Sequence, residues 1–373
     1  MIELEKMPKL GFGLMRLPEK DGKIQHETVC KMVDAYMAAG MNYFDTAYVY
    51  HGGLSETEAG KALVERYPRE SFMLATKLPA WAMKSKDDRD RIFNEQLSRT
   101  GAGYFDYYLL HSIEEGNIDV YERLDCFRWG IQKKEEGKIK HFGFSFHGSP
   151  ELLAKVLDDH PETEFVQIQL NYLDWNNPVV RSGKLYEILH ARNIPMIIME
   201  PVKGGTLASL KPELEEKFKA LKPDNSIASW AFRYVASLPG VMTILSGMST
   251  EEQMRDNIQT FMNFEPLSDE EKRVVEEVTA VMLDIPQIGC TACKYCCDGC
   301  PMNISIPDVF RVINTMNLYQ EDFRPRAFYN GLVGAGRGRA SSCVACGQCE
   351  GVCPQHLPII SLMKEAAKKL DRA

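Results

Sequence analysis

The chain has 373 residues, with 45% hydrophobic and 26% charged side chains and a formal net charge of −8. These are the proportions of a soluble globular protein with room for one large domain and a small one. The acidic balance and the lack of any Lys/Arg block argue against nucleic acid as a partner. No stretch approaches the ~18 apolar residues of a membrane span, and MIELEKMPKLGFG at the start has no basic region followed by an apolar run. A cytoplasmic protein without nucleic-acid or membrane partners is expected.

Up to residue 264, short β-rich runs alternate with longer amphipathic stretches. Strands are expected at 12–15, 42–45, 72–77, 107–110, 141–145, 165–169, 195–200 and 241–246. Helices are expected at 27–39, 56–66, 89–100, 120–136, 179–192 and 226–236. The 3.6-residue period is clearest over 120–136, where EEGK closes the helix at Gly137. Eight strands alternating with helices over about 250 residues is the arithmetic of a (β/α)8 barrel, an α/β TIM barrel. A doubly wound open sheet is the alternative, but no Gly-rich fingerprint follows the first strand. GAGRGR at 334–339 lacks a preceding strand and reads as a loop. The expected division is a barrel over 1–265, a linking acidic helix within 266–285 on the barrel's outside, and a small domain over 286–373.

That last region carries two copies of one cysteine spacing. Cys290, Cys293, Cys296 and Cys300 precede Pro301; Cys343, Cys346, Cys349 and Cys353 precede Pro354. Both read C-x2-C-x2-C-x3-C-P, the bacterial run for [4Fe–4S] clusters, in which the fourth cysteine ligates the other cluster. One cluster is therefore expected on Cys290, Cys293, Cys296 and Cys353, and a second on Cys343, Cys346, Cys349 and Cys300. Structural zinc would use paired C-x2-C knuckles without cysteines at +6 and +10, and disulfides suit small secreted chains. Cys297 is the spare, because Cys296 keeps the two copies in register. Cys30 and Cys126, far from the array, read as small buried hydrophobes. Forty-two residues separate Cys300 from Cys343. Each run is followed by a helical pattern, IPDVFRVINTM and LPIISLMKEAAKKL, which suggests a mostly helical ferredoxin-like domain.

In a (β/α)8 barrel the reacting groups come from the C-terminal ends of the strands. Those positions give Asp45, Lys77, His111, Ser145, Gln169 and Glu200, with Tyr50 in the loop after the second strand. A free phenol titrates near pH 10 and donates protons poorly; a neighbouring ammonium lowers that value, and Asp45 would hold Lys77 charged and in place. His111 can orient a carbonyl oxygen. Each residue alone has an ordinary reading as a cap, a surface charge or a core histidine. Together, at successive strand ends, they form a proton-delivery set.

FDTAYVY, LATK and LLH, in strand order, resemble the aldo-keto reductase family, as do LGFGLMRLP near the start and SIASWAFRYVASLPGVMTILSGMSTEEQMRDNI. The resemblance covers about residues 1 to 265. With the cysteine array, the whole chain resembles the iron–sulfur-containing branch of that family. It implies a barrel that binds NAD(P)H and passes hydride to a small-molecule carbonyl, with Tyr50 as general acid supported by Lys77, Asp45 and His111. Ser145, Gln169, Glu200, Ser246, Gly247 and Asn257 become cofactor candidates. Departures accompany the matches. Phe146 follows Ser145 where the family has Asn. Met199-Glu200-Pro201 replaces an aromatic Tyr-Ser-Pro stretch, and Gln253 stands where an arginine often grips the 2′-phosphate of NADPH. An uncharged glutamine cannot match that contact, so NADH is at least as well suited as NADPH, and a flavin also becomes credible. Backbone N–H groups over 246–249 could meet a diphosphate at a helix N-terminus. Trp81, Tyr172, Trp175 and Asn176 are candidate pocket walls.

Hydride transfer moves two electrons, whereas a cluster exchanges one. The clusters would therefore relay electrons to or from a redox partner protein, or stabilise their own domain. An electron-transfer flavoprotein and a redox-sensing regulatory subunit are the alternative readings.

Overall fold

The computed structural model describes residues 2–319 and 322–371. The chain forms two compact units: Met1–Pro201 with Ser229–Ser268, and Val202–Ala228 with Asp269–Ala373. The first is a closed eight-stranded barrel. Its strands are β1 Leu10–Gly13, β2 Tyr43–Asp45, β3 Met73–Pro79, β4 Phe105–Ile113, β5 Ile139–Phe146, β6 Val166–Gln169, β7 Met196–Met199 and β8 Val241–Ser246. All neighbours pair in parallel, and β8 returns to β1 with Phe12 opposite Ser246. A parallel sheet is covered on both faces, so its strands read as nearly unbroken apolar runs. β7 is simply Met-Ile-Ile-Met, and in β4 every residue except Ser112 is buried. Ile2, Leu4 and Met7, just ahead of β1, pack against an interior cluster that includes Tyr43, Tyr107 and Phe165.

The register sets the site. Gly13 lies opposite Asp45, Asp45 opposite Ala75, and Pro79 opposite His111. The ends of β2, β3 and β4 therefore bring Asp45, Lys77 and His111 to adjoining strands at one mouth.

Several elements depart from the sequence expectation. The expected helix 120–136 is two helices, Ile118–Arg123 and Cys126–Glu135. Between them Asp125 has φ 56°, and the guanidinium of Arg89 bonds the released carbonyls of Leu124 and Asp125. The helix expected at 56–66 starts as Leu54–Ala59 and continues as a π turn over Gly60–Val64. Gly60 sits so close to the backbone of helix Lys86–Thr100 that a Cβ there would lie 2.9 Å from the Arg99 carbonyl oxygen. The first strand is shifted toward the N-terminus, leaving Leu14–Arg16 in a 3-10 turn. A short antiparallel hairpin, Glu19–Lys20 with Lys23–Ile24, and helices Pro150–Asp159 and Pro212–Leu221 had no counterpart in the expected elements.

The second unit is helical. Helices Pro212–Leu221 and Asp269–Leu283 are linked by a Lys217–Glu277 ion pair of 2.7 Å. Helices Ile306–Tyr319, Phe323–Gly334 and Ile359–Leu370 share a core containing Phe310, Ile313, Tyr329 and Met363, with most of the array cysteines packed against it. Among the described residues no helix is long and apolar enough to cross a membrane.

Candidate active site and cysteine cavities

At the barrel mouth Lys77 is fully buried, and its Nζ donates to Asp45 Oδ1 at 2.5 Å and to the Thr46 carbonyl at 2.7 Å. Burial drives the Asp45 carboxyl up from its ordinary pKa and the Lys77 ammonium down, while the contact between them opposes both shifts. Lys77 Nζ lies 4.9 Å from the centre of the Tyr50 ring, and that ring meets His111 edge-on at 6.0 Å. Burial, with Lys77 and His147 adding to it, holds the His111 imidazole well below its usual pKa, so it is neutral near pH 7. The four side chains thus form one contiguous group.

Two devices hold this group in place. The Tyr121 hydroxyl bonds the carbonyls of both Leu78 and His111, tying the ends of β3 and β4. Ser145 Oγ accepts the Ser112 N–H at 2.6 Å, fixing the residue after His111 at φ 60°. Among the described residues, Asp45 Oδ2, His111 Nδ1 and the Tyr172 hydroxyl have no hydrogen-bond partner and are buried. Buried polar atoms are normally satisfied, and orphaned ones at a mouth fit a site that a polar ligand completes.

The cofactor candidates form a second arc. Gln169 Nε2 and Asn171 Nδ2 both donate to Asp174 Oδ2, at 2.8 and 2.9 Å, and Asn171 also donates to the Glu200 carbonyl at 3.0 Å. Asn257 Nδ2 donates to Ser246 Oγ at 2.9 Å, joining helix Glu251–Met262 to the end of β8. Gln253 is exposed and serves as a cap, its Oε1 accepting the Ser249 N–H at 2.8 Å. Glu200 has φ 55° and pairs with Arg16 at 2.9 Å. Of the candidate walls, Trp81 stands 5.1 Å from His111 and is 55% exposed, as a rim residue would be. Tyr172 and Trp175 pack instead around Tyr234, and Asn176 is exposed.

Asn171, Asp174 and Arg16 were not among the sequence candidates. Arg16 lies within the LGFGLMRLP motif, but its partner is 184 positions away. Asp174 could have been found as the acidic residue that closes the NYLD turn after β6.

In the second unit the eight array cysteines gather at two small cavities. One is lined by Cys300, Cys343, Cys346 and Cys349, the other by Cys290, Cys293, Cys296 and Cys353. This is the crossed grouping expected from the spacing. Cys297 lines neither cavity. Ile306 and Ile359 line both. Each isoleucine lies six residues beyond the last cysteine of its run and opens the helix that follows, so the repeat in sequence is also a repeat in structure. Among the described residues no three His, Cys, Asp or Glu side chains converge on a single metal ion. A thiol set spread around a cavity suits a polynuclear cluster better than one zinc.

A model of the aldo/keto reductase family matches residues 9–280, and a model of the 4Fe-4S dicluster domain matches 289–357. L-galactose dehydrogenase of Arabidopsis thaliana is 26% identical over 298 residues, 74% of this chain and 91% of that protein. An aldo-keto reductase of Bacillus halodurans in its holo form is similar with a TM-score of 0.59 and 25% identity, over 73% of this chain and 92% of that one. An aldo-keto reductase of Klebsiella pneumoniae in complex with NADPH shares the fold at 21% identity and a TM-score of 0.60, over 73% of this chain and 91% of that one.

Proposed function

The chain belongs to the aldo/keto reductase family, and on that premise we propose that its barrel reduces a small-molecule carbonyl group, with a nicotinamide dinucleotide as hydride source and Tyr50 as proton donor. The carrying observation is the contiguous buried set of Asp45, Tyr50, Lys77 and His111.

When bound, the dinucleotide supplies the hydride that reaches the carbonyl carbon. Tyr50 gives its hydroxyl proton to the carbonyl oxygen, so the carbonyl becomes an alcohol as the nicotinamide is oxidised, and Tyr50 is reprotonated from solvent. Lys77 favours the phenolate left behind, which makes the phenol a better acid at neutral pH. Asp45 keeps the ammonium charged and aimed. His111, neutral, donates a hydrogen bond to the carbonyl oxygen and orients it without competing as an acid. Gln169, Asn171 and Asp174 form a braced amide cluster suited to the nicotinamide carboxamide, and Ser246, Gly247 and Asn257 serve the diphosphate. With Gln253 uncharged and engaged as a cap, nothing at that position grips a 2′-phosphate, which supports NADH over NADPH.

The thiols around the two cavities support two [4Fe–4S] clusters, one on Cys290, Cys293, Cys296 and Cys353 and the other on Cys300, Cys343, Cys346 and Cys349. Such clusters exchange single electrons, so their natural counterpart is a one-electron redox partner protein rather than the nicotinamide directly.

The test is NADH-dependent reduction of a panel of aldehydes and ketones by the wild type and by Tyr50→Phe. Losing a positioned general acid should lower kcat by about 100-fold or more while leaving NADH affinity unchanged. A Tyr50→Phe variant with wild-type kcat would refute the assignment.

A further inference from the structure

The Arg16–Glu200 ion pair has no part in the proton-delivery set, yet it sits among the residues assigned to the cofactor. Arg16 is fixed against the loop after β8. Its carbonyl accepts the Ser249 hydroxyl at 2.7 Å, and a Cβ built on Gly247 would meet the Arg16 side-chain carbons at 3.2–3.3 Å. Gly247 lacks that Cβ, and this lets the arginine stem lie across the loop. The guanidinium reaches Glu200 Oε1 at 2.9 Å, with the two side chains 27% and 12% exposed. Glu200 holds the left-handed φ of 55°, a conformation that costs a non-glycine residue energy and gathers at functional sites. A carboxylate held at a left-handed backbone position thus pairs with a cation lying directly against the proposed diphosphate loop.

A carboxylate and a diphosphate are alternative partners for the same planar fork of donors. We propose that Arg16 is a diphosphate-binding residue and that Glu200 competes with the dinucleotide for it, so that the mouth in its ligand-free form is held by an internal anion that the cofactor must displace. The inference rests on the reading of the mouth as a dinucleotide site. It makes the two members of one ion pair act with opposite sign on affinity. Arg16→Gln removes a contact to the ligand, whereas Glu200→Gln removes its competitor. Displacing Glu200 also leaves a carboxylate at the end of β7, where it would favour the cationic, oxidised nicotinamide over the neutral, reduced one.

The experiment is equilibrium titration of the full-length, cluster-replete protein with ADP-ribose, NADH and NAD+, with adenosine as a control lacking the diphosphate. Arg16→Gln should weaken ADP-ribose binding by about 10-fold or more, the scale of a charge-assisted hydrogen bond. Glu200→Gln should tighten it by several-fold, and the double variant should match Arg16→Gln alone. Adenosine affinity should be the same in all four proteins, and melting curves establish that each is folded. Equal weakening by both single variants would reduce the pair to a structural bridge and overturn the proposal. So would tightening by Glu200→Gln in the Arg16→Gln background, since Glu200 would then act by direct repulsion. A wild-type protein that binds none of NADH, NAD+ and ADP-ribose would remove the dinucleotide reading itself, and this inference with it.

Discussion

The barrel and the cysteine-rich unit solve the problem of buried polar groups in opposite ways. In the barrel nearly every buried charge meets a partner from the chain: Lys77 with Asp45, Glu56 with Arg99, Asp106 with Arg69 and Lys140. In the second unit eight thiols border two cavities, and the wall common to both is a pair of isoleucines. One region is complete as polypeptide except at its mouth. The other matches a 4Fe-4S dicluster domain, and in domains that bind such groups ligand binding energy is folding energy.

The sharpest way to break this contrast is to remove iron. Anaerobic chelation should abolish hydrogen-exchange protection in helices Ile306–Tyr319 and Ile359–Leu370 while the eight barrel strands stay protected. Equal loss in both regions would show that the barrel, too, depends on the clusters. Next in size is Lys77→Met. Breaking a buried pair leaves Asp45 uncompensated, and the expected cost is about 3–5 kcal/mol in urea unfolding with iron content unchanged. An unaltered unfolding midpoint would mean that the pair is not buried as an ion pair.

Gly60→Ala should follow at about 1–3 kcal/mol, because the new Cβ meets two backbone carbonyl oxygens, Arg99 at 2.9 Å and Thr100 at 3.1 Å, which cannot move aside as a side chain would. A melting temperature equal to wild type would show that the two helices simply shift apart.

The smallest effect is on pH dependence. Burial alone would raise the Glu164 carboxyl, but His141, Lys134 and the Phe142 N–H hold it down at about 2. Its folded pKa is depressed, so its contribution is present above the ordinary carboxylate range and is lost as pH falls toward 2. His111 adds a separate slope. Its folded form resists protonation while the unfolded chain takes up a proton below about 6.5, so stability falls as pH drops through that value. Glu164→Gln should flatten the acid limb of a melting-temperature profile and leave the slope near pH 6 intact. An unchanged acid limb would contradict the role given to Glu164.

These contrasts also explain what was legible in the sequence. The strand ends could be read because parallel strands are short apolar runs in which a polar residue marks the end: β2 stops at Asp45, and Lys77 and His111 each lie two residues before the end of their strand. The cysteine grouping could be read because the repeated spacing sets three thiols of one run with the fourth of the other. The break at Asp125 could not, since its released carbonyls are met by Arg89, 35 and 36 residues earlier in the chain. Arg16 was hidden for the same reason: its meaning lies in a partner 184 residues away. The uncharged side chain of Gln253 could be read from the sequence, but its use as a cap on Ser249 depends on loop geometry.

The central claim is that the barrel passes hydride directly to a carbonyl, with the clusters outside that step. The most direct measurement is single-turnover reduction of a carbonyl substrate with NADH carrying deuterium at both C4 positions, under anaerobic conditions and with cluster absorbance followed in the same mixture. The account predicts one deuterium on the carbinol carbon of the product and no cluster bleaching during turnover. Product formed without deuterium, with bleaching in step, would contradict it and place the clusters on the path of the electrons.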